Sequence, residues 1–153
     1  MPLYRSYNLL ATDHFYTIDR AEHLRATTAL GYTNEGIAAW VYPNQLAQGH
    51  ALSGELTPLF RSYNGIATDH FYTIDQAEHN RAPSIGWGHE RNEGHVFSAK
   101  SQPGLVPLYR MYNGIGDHFY TTDVDERNNA IATLGYADEN IEGYVFPANF
   151  RQE

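Results

Sequence analysis

Pro2-Leu-Tyr-Arg-Ser-Tyr-Asn8 returns as Pro58-Leu-Phe-Arg-Ser-Tyr-Asn64 and again as Pro107-Leu-Tyr-Arg-Met-Tyr-Asn113. Each copy is followed by Asp-His-Phe-Tyr-Thr, at 13–17, 69–73 and 117–121, and closes on a Gly-aromatic pair and an apolar run ending in Val-aromatic. Self-similarity at a fixed period marks a repeat architecture, in which one unit buries its apolar face only by stacking on its neighbours. The repeats cover 2–43, 58–97 and 107–147 of a single domain, 1–153. Their starts lie 56 and 49 residues apart, and the excess falls in 44–57, a surface connection rich in Gln, Gly and small residues.

Within each copy four pieces recur. A short strand, 3–7 in copy one, runs into a turn that contains Asn64-Gly65 or Asn113-Gly114 in the later copies, a dipeptide suited to tight reversal. A second strand follows at 14–18, 70–74 and 118–122. Asp19 with Glu22, Asp75 with Glu78 and Asp123 with Glu126 have the spacing of a helix capping box. Gly31, Gly86 and Gly135 supply the C-terminal stop of a helix of about ten residues. Pro83 ends the second helix early. A β run at 39–42, 94–97 and 143–146 completes the unit. The expected fold is β-rich α+β: a closed pseudo-threefold ring of three ββαβ repeats, propeller-like or barrel-like, because closure removes exposed sheet edges. A β-trefoil is the alternative, though a helix in every repeat is unusual for it.

The chain has 153 residues, enough for one core without staples, and no cysteine, which excludes disulfides and thiolate metal sites. A formal charge of −8 argues against nucleic acid as a partner. No apolar stretch is long enough for membrane insertion, and no signal segment precedes Pro2, so the expected location is cytoplasmic, or secreted without a classical signal peptide. Twelve Tyr against few charged residues suit a packed β core or a binding surface.

The chemistry-bearing candidates repeat with the motif. Asp13, His14 and Tyr16, with Asp69, His70 and Tyr72 and with Asp117, His118 and Tyr120, offer acceptor, donor and aromatic surface together. Their structural alternative is local hydrogen bonding that holds the hairpin. Phe15, Phe71 and Phe119 read as core. Arg5, Arg61 and Arg110, with Glu35, Glu90 and Glu139, read as ion pairs within or between repeats. Trp40, His95 and Tyr144 align with one another, and three different large rings at one position suggest a half-exposed platform for a flat ligand such as a sugar face. No phosphate loop, nucleophile elbow or zinc helix is present. Asp123-Val-Asp-Glu126 lacks the ligand spacing of a calcium loop and is better read as a capped helix.

The motif Pro-Leu-Tyr-Arg-x-Tyr-Asn, Asp-His-Phe-Tyr-Thr, Leu-Gly-Tyr-x-x-Glu and Tyr-Val-Phe-Pro resembles a fungal and bacterial repeat family of long-uncharacterised function, often found beside secreted hydrolases. Copy three carries it most fully; copy two departs with Trp87, His95 and Ser98. The resemblance implies binding to glycans or cell-wall polysaccharide by a small three-repeat lectin. The expected function is therefore carbohydrate binding at up to three shallow sites, without catalysis, cofactor or metal, by a chain whose oligomeric state stays open. A protein-interaction module and a polysaccharide hydrolase are the alternatives.

Overall fold

The computed structural model describes residues 1–44 and 55–150. The body of the first connection, 45–54, and the last three residues lie outside the described residues.

Each repeat folds as strand, strand, helix, strand. Copy one comprises β1 (Pro2–Asn8), β2 (Asp13–Thr17), α1 (Arg20–Ala29) and β3 (Thr33–Trp40). Copy two comprises β4 (Leu56–Asn64), β5 (Asp69–Thr73), α2 (Gln76–Arg81) and β6 (Gly88–Phe97); copy three comprises β7 (Val106–Tyr112), β8 (His118–Thr121), α3 (Val124–Thr133) and β9 (Ala137–Pro147). In every copy the first strand pairs antiparallel with both the second and the third.

The third strand is much longer than its apolar run. Residues 33–36 of β3 and 88–91 of β6 are polar and exposed, so no hydrophobic alternation announces them. They are strand because the first strand offers them a ladder, across two register shifts in each copy. The hairpin turns also differ from an Asn-Gly reversal. Asn8, Asn64 and Asn113 accept backbone N–H groups two to four residues on through their side chains, which works with or without a following Gly.

The helices start as expected. Asp19, Asp75 and Asp123 each accept two backbone N–H bonds at the first turn. The second helix stops after six residues and tightens into a 3-10 turn, Ala82–Ile85, that contains Pro83. The capping box is only half formed, because the glutamate does not fold back. The hydroxyl of Thr17 receives the Asp19 N–H and itself donates to Glu22, and the same arrangement recurs at Thr73 and Thr121.

The molecule is β-rich, as expected, but its sheet is open. The strand path runs β2-β1-β3-β9-β6-β4-β5, with β7 branching from β9 and carrying β8. The strands do not close into a barrel, which corrects that part of the expectation. The reason lies in the pairing between repeats: β3 meets β9 over two residue pairs and β6 meets β9 over one, with an isolated bridge between Tyr42 and His95. Such contacts are too short to be continuous staves. Contact between the copies falls to side chains instead. Leu3, Leu59 and Leu108 pack with Val41, Val96 and Val145 around Tyr16, Tyr72 and Tyr120 in one core cluster.

Those three tyrosines are the centre of the molecule. The Tyr72 hydroxyl accepts from the Tyr16 N–H (2.7 Å) and donates to the Tyr16 carbonyl (2.6 Å). Tyr120 serves the backbone of Tyr72 in the same way, and Tyr16 serves that of Tyr120. Each ring meets the other two edge-on, at 5.2–5.5 Å. Buried strand N–H and C=O groups need partners, and here every phenol supplies both at once.

Candidate functional site: three clefts at the repeat boundaries

An open cleft lies at each boundary between copies. The first, about 440 Å³, has Phe15, Arg25, Leu30 and Tyr32 of copy one on one wall, facing Arg61, Tyr63, His70 and Glu90 of copy two. The second, about 470 Å³, sets Phe119, Asn129, Leu134 and Tyr136 of copy three against Arg5, Tyr7, His14 and Glu35 of copy one. The third, about 320 Å³, sets Phe71, Arg81, Ile85 and Trp87 of copy two against Tyr112, His118 and Glu139 of copy three.

An arginine holds each boundary. Arg61 pairs with Glu90 of its own copy (2.8 Å) and with Glu22 of copy one (2.9 Å). Arg110 pairs likewise with Glu139 and Glu78, and Arg5 with Glu35 and Glu126. The expected ion pairs thus form, and each guanidinium joins two repeats. It also lies over the neighbouring copy's phenylalanine, Arg61 above Phe15 at 5.2 Å, Arg5 above Phe119 and Arg110 above Phe71. Glu22, Glu78 and Glu126 are held below the ordinary carboxylate range. Burial works against this, but the hydrogen bonds from arginine and threonine outweigh it.

Copies two and three add a further buried carboxylate. Glu93 reaches Arg61 (2.8 Å) and accepts the Ile18 N–H; Glu142 reaches Arg110 (2.9 Å) and accepts the Ile74 N–H. Burial pushes both carboxyls up, against the pull of the arginine. Copy one has Ala38 at the matching position.

The Asp-His motif also works across repeats. The His70 N–H and Nδ1 meet the two oxygens of Asp13, at 3.0 and 2.7 Å. His118 does the same with Asp69, and His14 with Asp117. All three aspartates are fully buried. Tyr32 and Tyr136 donate further hydrogen bonds to Asp13 and Asp117. Copy two has Trp87 at that position, which gives Asp69 no hydroxyl and instead packs on Phe71 and His118. Burial raises the Asp69 carboxyl despite its histidine. Burial pulls His118 down, but its bonds to Asp69 and Glu139 raise it overall.

Ligand atoms of Asp13, Asp69 and Asp117 lie within 4.8 Å of one another, close enough to share a cation. Both oxygens of each are already engaged by a histidine, so the donor set suits three imidazole–carboxylate pairs.

The expected site residues therefore divide. His14, His70 and His118 line the clefts. Asp13, Asp69 and Asp117 stand behind them, buried, and orient them. Tyr16, Tyr72 and Tyr120 are 1% exposed and belong to the core, which removes them from any ligand surface. Trp40, His95 and Tyr144 lie elsewhere, at the ends of β3, β6 and β9, where the third strands meet. Trp40 lines a separate pocket of about 330 Å³ with Met1, Phe146 and Phe150 and donates to the Ala148 carbonyl. His95 is held by Asn44.

A family model described as Domain of unknown function (DUF5648) matches residues 2–146. The chain belongs to that family. No curated protein and no solved structure gives a significant match. In this DUF5648 member, the cleft residues that sequence reading missed are Tyr7, Tyr63 and Tyr112, the aromatics Tyr32, Trp87 and Tyr136, and helix positions 25, 81 and 129. All lie inside the repeated motif. Their signal was recurrence, but local pattern assigned them to strand, turn and helix surface.

Proposed function

We propose that this chain is a non-catalytic carbohydrate-binding protein whose three repeats act as a pseudo-threefold set, with one shallow site at each repeat boundary. The observation that carries the reading is the recurrence of one cleft three times, each combining aromatic faces with a His–Glu–Arg polar cluster. Rings suit the apolar face of a sugar, and the fixed polar groups suit its hydroxyls. Volumes of about 320 to 470 Å³ suit one or two sugar rings. Cyclic contacts support the threefold reading: each phenol, Asp–His pair and arginine joins one copy to another.

Glu22, Glu78 and Glu126 favour a binding role over general acid catalysis. Carboxyls held low by arginine do not keep a proton to donate near neutral pH, which general acid catalysis needs. Partners are then glycans or cell-wall polysaccharide, bound weakly at each site and more tightly through repetition.

Binding to an arrayed glycan panel tests this reading, with Tyr7→Ala, Tyr63→Ala and Tyr112→Ala each expected to remove about one third of the sites. Absence of binding to every glycan and to whole cell walls would overturn it. A protein-interaction role is favoured by one observation: Leu10 and Ile66 at the hairpin tips are 99% exposed, and Ile115 is 85% exposed. Replacing Leu10 and Ile66, which line none of the three clefts, by Ser leaves sugar binding intact if the clefts are the ligand sites.

A further inference from the structure

The three clefts share the boundary arginine and the Asp–His pair but differ at a helical position on their walls. Arg25 in the first cleft and Arg81 in the third occupy the same place in α1 and α2, and α3 has Asn129 there. Arg25 and Arg81 are exposed and line their clefts, and among the described residues neither side chain has a hydrogen bond or ion pair. The Asn129 side chain is neutral and accepts from the Thr133 hydroxyl.

The carboxylates nearby do not claim these two cations. Glu22 and Glu90 are both committed to Arg61, and Glu78 and Glu139 to Arg110. In the second cleft Glu35 and Glu126 are likewise committed to Arg5, and no partnerless guanidinium is present among the described lining residues. A guanidinium without a partner, on the wall of a cleft that otherwise offers rings and engaged carboxylates, is a fork waiting for a planar anion.

We propose that the first and third clefts select a sugar bearing a carboxylate or sulfate, held by Arg25 or Arg81, and that the second takes only neutral sugar. The proposal rests on the carbohydrate reading above and names the ligand class of those sites. An anion bound to an exposed arginine gains a modest, salt-screened preference, roughly three- to tenfold in affinity.

The test uses the full chain and a panel of uronate and sulfated oligosaccharides, each beside its methyl-esterified or desulfated form. The same ring is thereby offered with and without its charge. The anionic forms are expected to bind roughly three- to tenfold tighter at low salt. Arg25→Asn with Arg81→Asn should abolish that preference, so that charged and neutral forms of each pair bind alike. Asn129→Arg should raise the number of anion-preferring sites from two to three. Equal binding of charged and neutral forms, or a preference that survives in the double variant, would overturn the proposal and leave the carbohydrate reading standing. Absence of binding to both forms of every pair would overturn both.

Discussion

At the scale of single residues, the phenols of Tyr16, Tyr72 and Tyr120 show how one side chain can be both core and connector. Each hydroxyl satisfies the N–H and the C=O of one residue in another copy. Tyr72→Phe keeps the ring but strands a donor and an acceptor of Tyr16 in the interior. An unsatisfied buried polar group costs about 1–3 kcal/mol, so the substitution should lower stability by about 2–5 kcal/mol. Calorimetry should record this as a fall in Tm of roughly 5–15 °C, at the few degrees per kcal/mol expected for a chain of this size. A change under two degrees would show that the bonds carry no such weight. The burial of Tyr16 was not legible beforehand. Strand alternation put it on one face with His14, but whether that face met solvent or another repeat depends on where residues 72 and 120 stand, over fifty positions away.

At the scale of elements, local chemistry was read most successfully. The Asp caps, the Gly stops and the short second helix all form as the spacing requires. Two substitutions separate cap from packing. Asp75→Ala removes two first-turn hydrogen bonds and should cost about 1 kcal/mol, as caps generally do. Gly143→Ala should be far more damaging. Gly143 has φ +81°, and an added Cβ would lie 2.6 Å from Val96 and 2.9 Å from the Phe97 carbonyl. Together the strain and the clash predict a loss of more than about 2 kcal/mol. Urea unfolding of the two variants would check the order, and a cap variant the less stable of the pair would reverse the argument. The long third strands were illegible for a physical reason. Residues 33–36 and 88–91 face solvent, so their ladder depends on the register offered by the first strand rather than on apolar alternation.

For the whole molecule, titrating groups at the boundaries should set the pH dependence of stability. Glu22, Glu78, Glu126 and Glu139 sit below their ordinary value of 4.5. Their contribution is complete above about 4.5 and is lost as pH falls through the folded values. His118 sits above its ordinary 6.5, so its contribution is complete below about 6.5 and is lost as pH rises through the folded value. The raised carboxyls of Glu93, Glu142 and Asp69 oppose the other glutamates: their contribution is complete below their ordinary values of 4.5 and 3.8 and is lost as pH rises through the folded values, because their neutral forms suit the interior. Stability should therefore fall on the acid side of about pH 4.5, where the lowered glutamates take up protons, and fall again above about pH 6.5, where the loss at His118 adds to that of the raised carboxyls; Tm measured from pH 3 to 8 should show both limbs. His118→Gln should flatten the alkaline limb; a Tm that climbs steadily from pH 6.5 to 8 would contradict the assignment.

The amino-acid sequence by itself determined the threefold repetition, the order of strands and helices, and the helix ends, because these depend on neighbours within a few residues. Tertiary structure alone decided the rest. Arg61 reads locally as a partner for Glu90, yet it also closes on Glu22, and His70 turns not to Asp69 beside it but to Asp13. Those choices follow from how one repeat docks on the next, which brings together groups 39 and 57 residues apart. The same docking hides the tyrosines, parts Trp40, His95 and Tyr144 from the histidines, and opens the three clefts. Recurrence within the chain marks most of the residues that line them, but a repeating word carries no information about which copy its side chain will face.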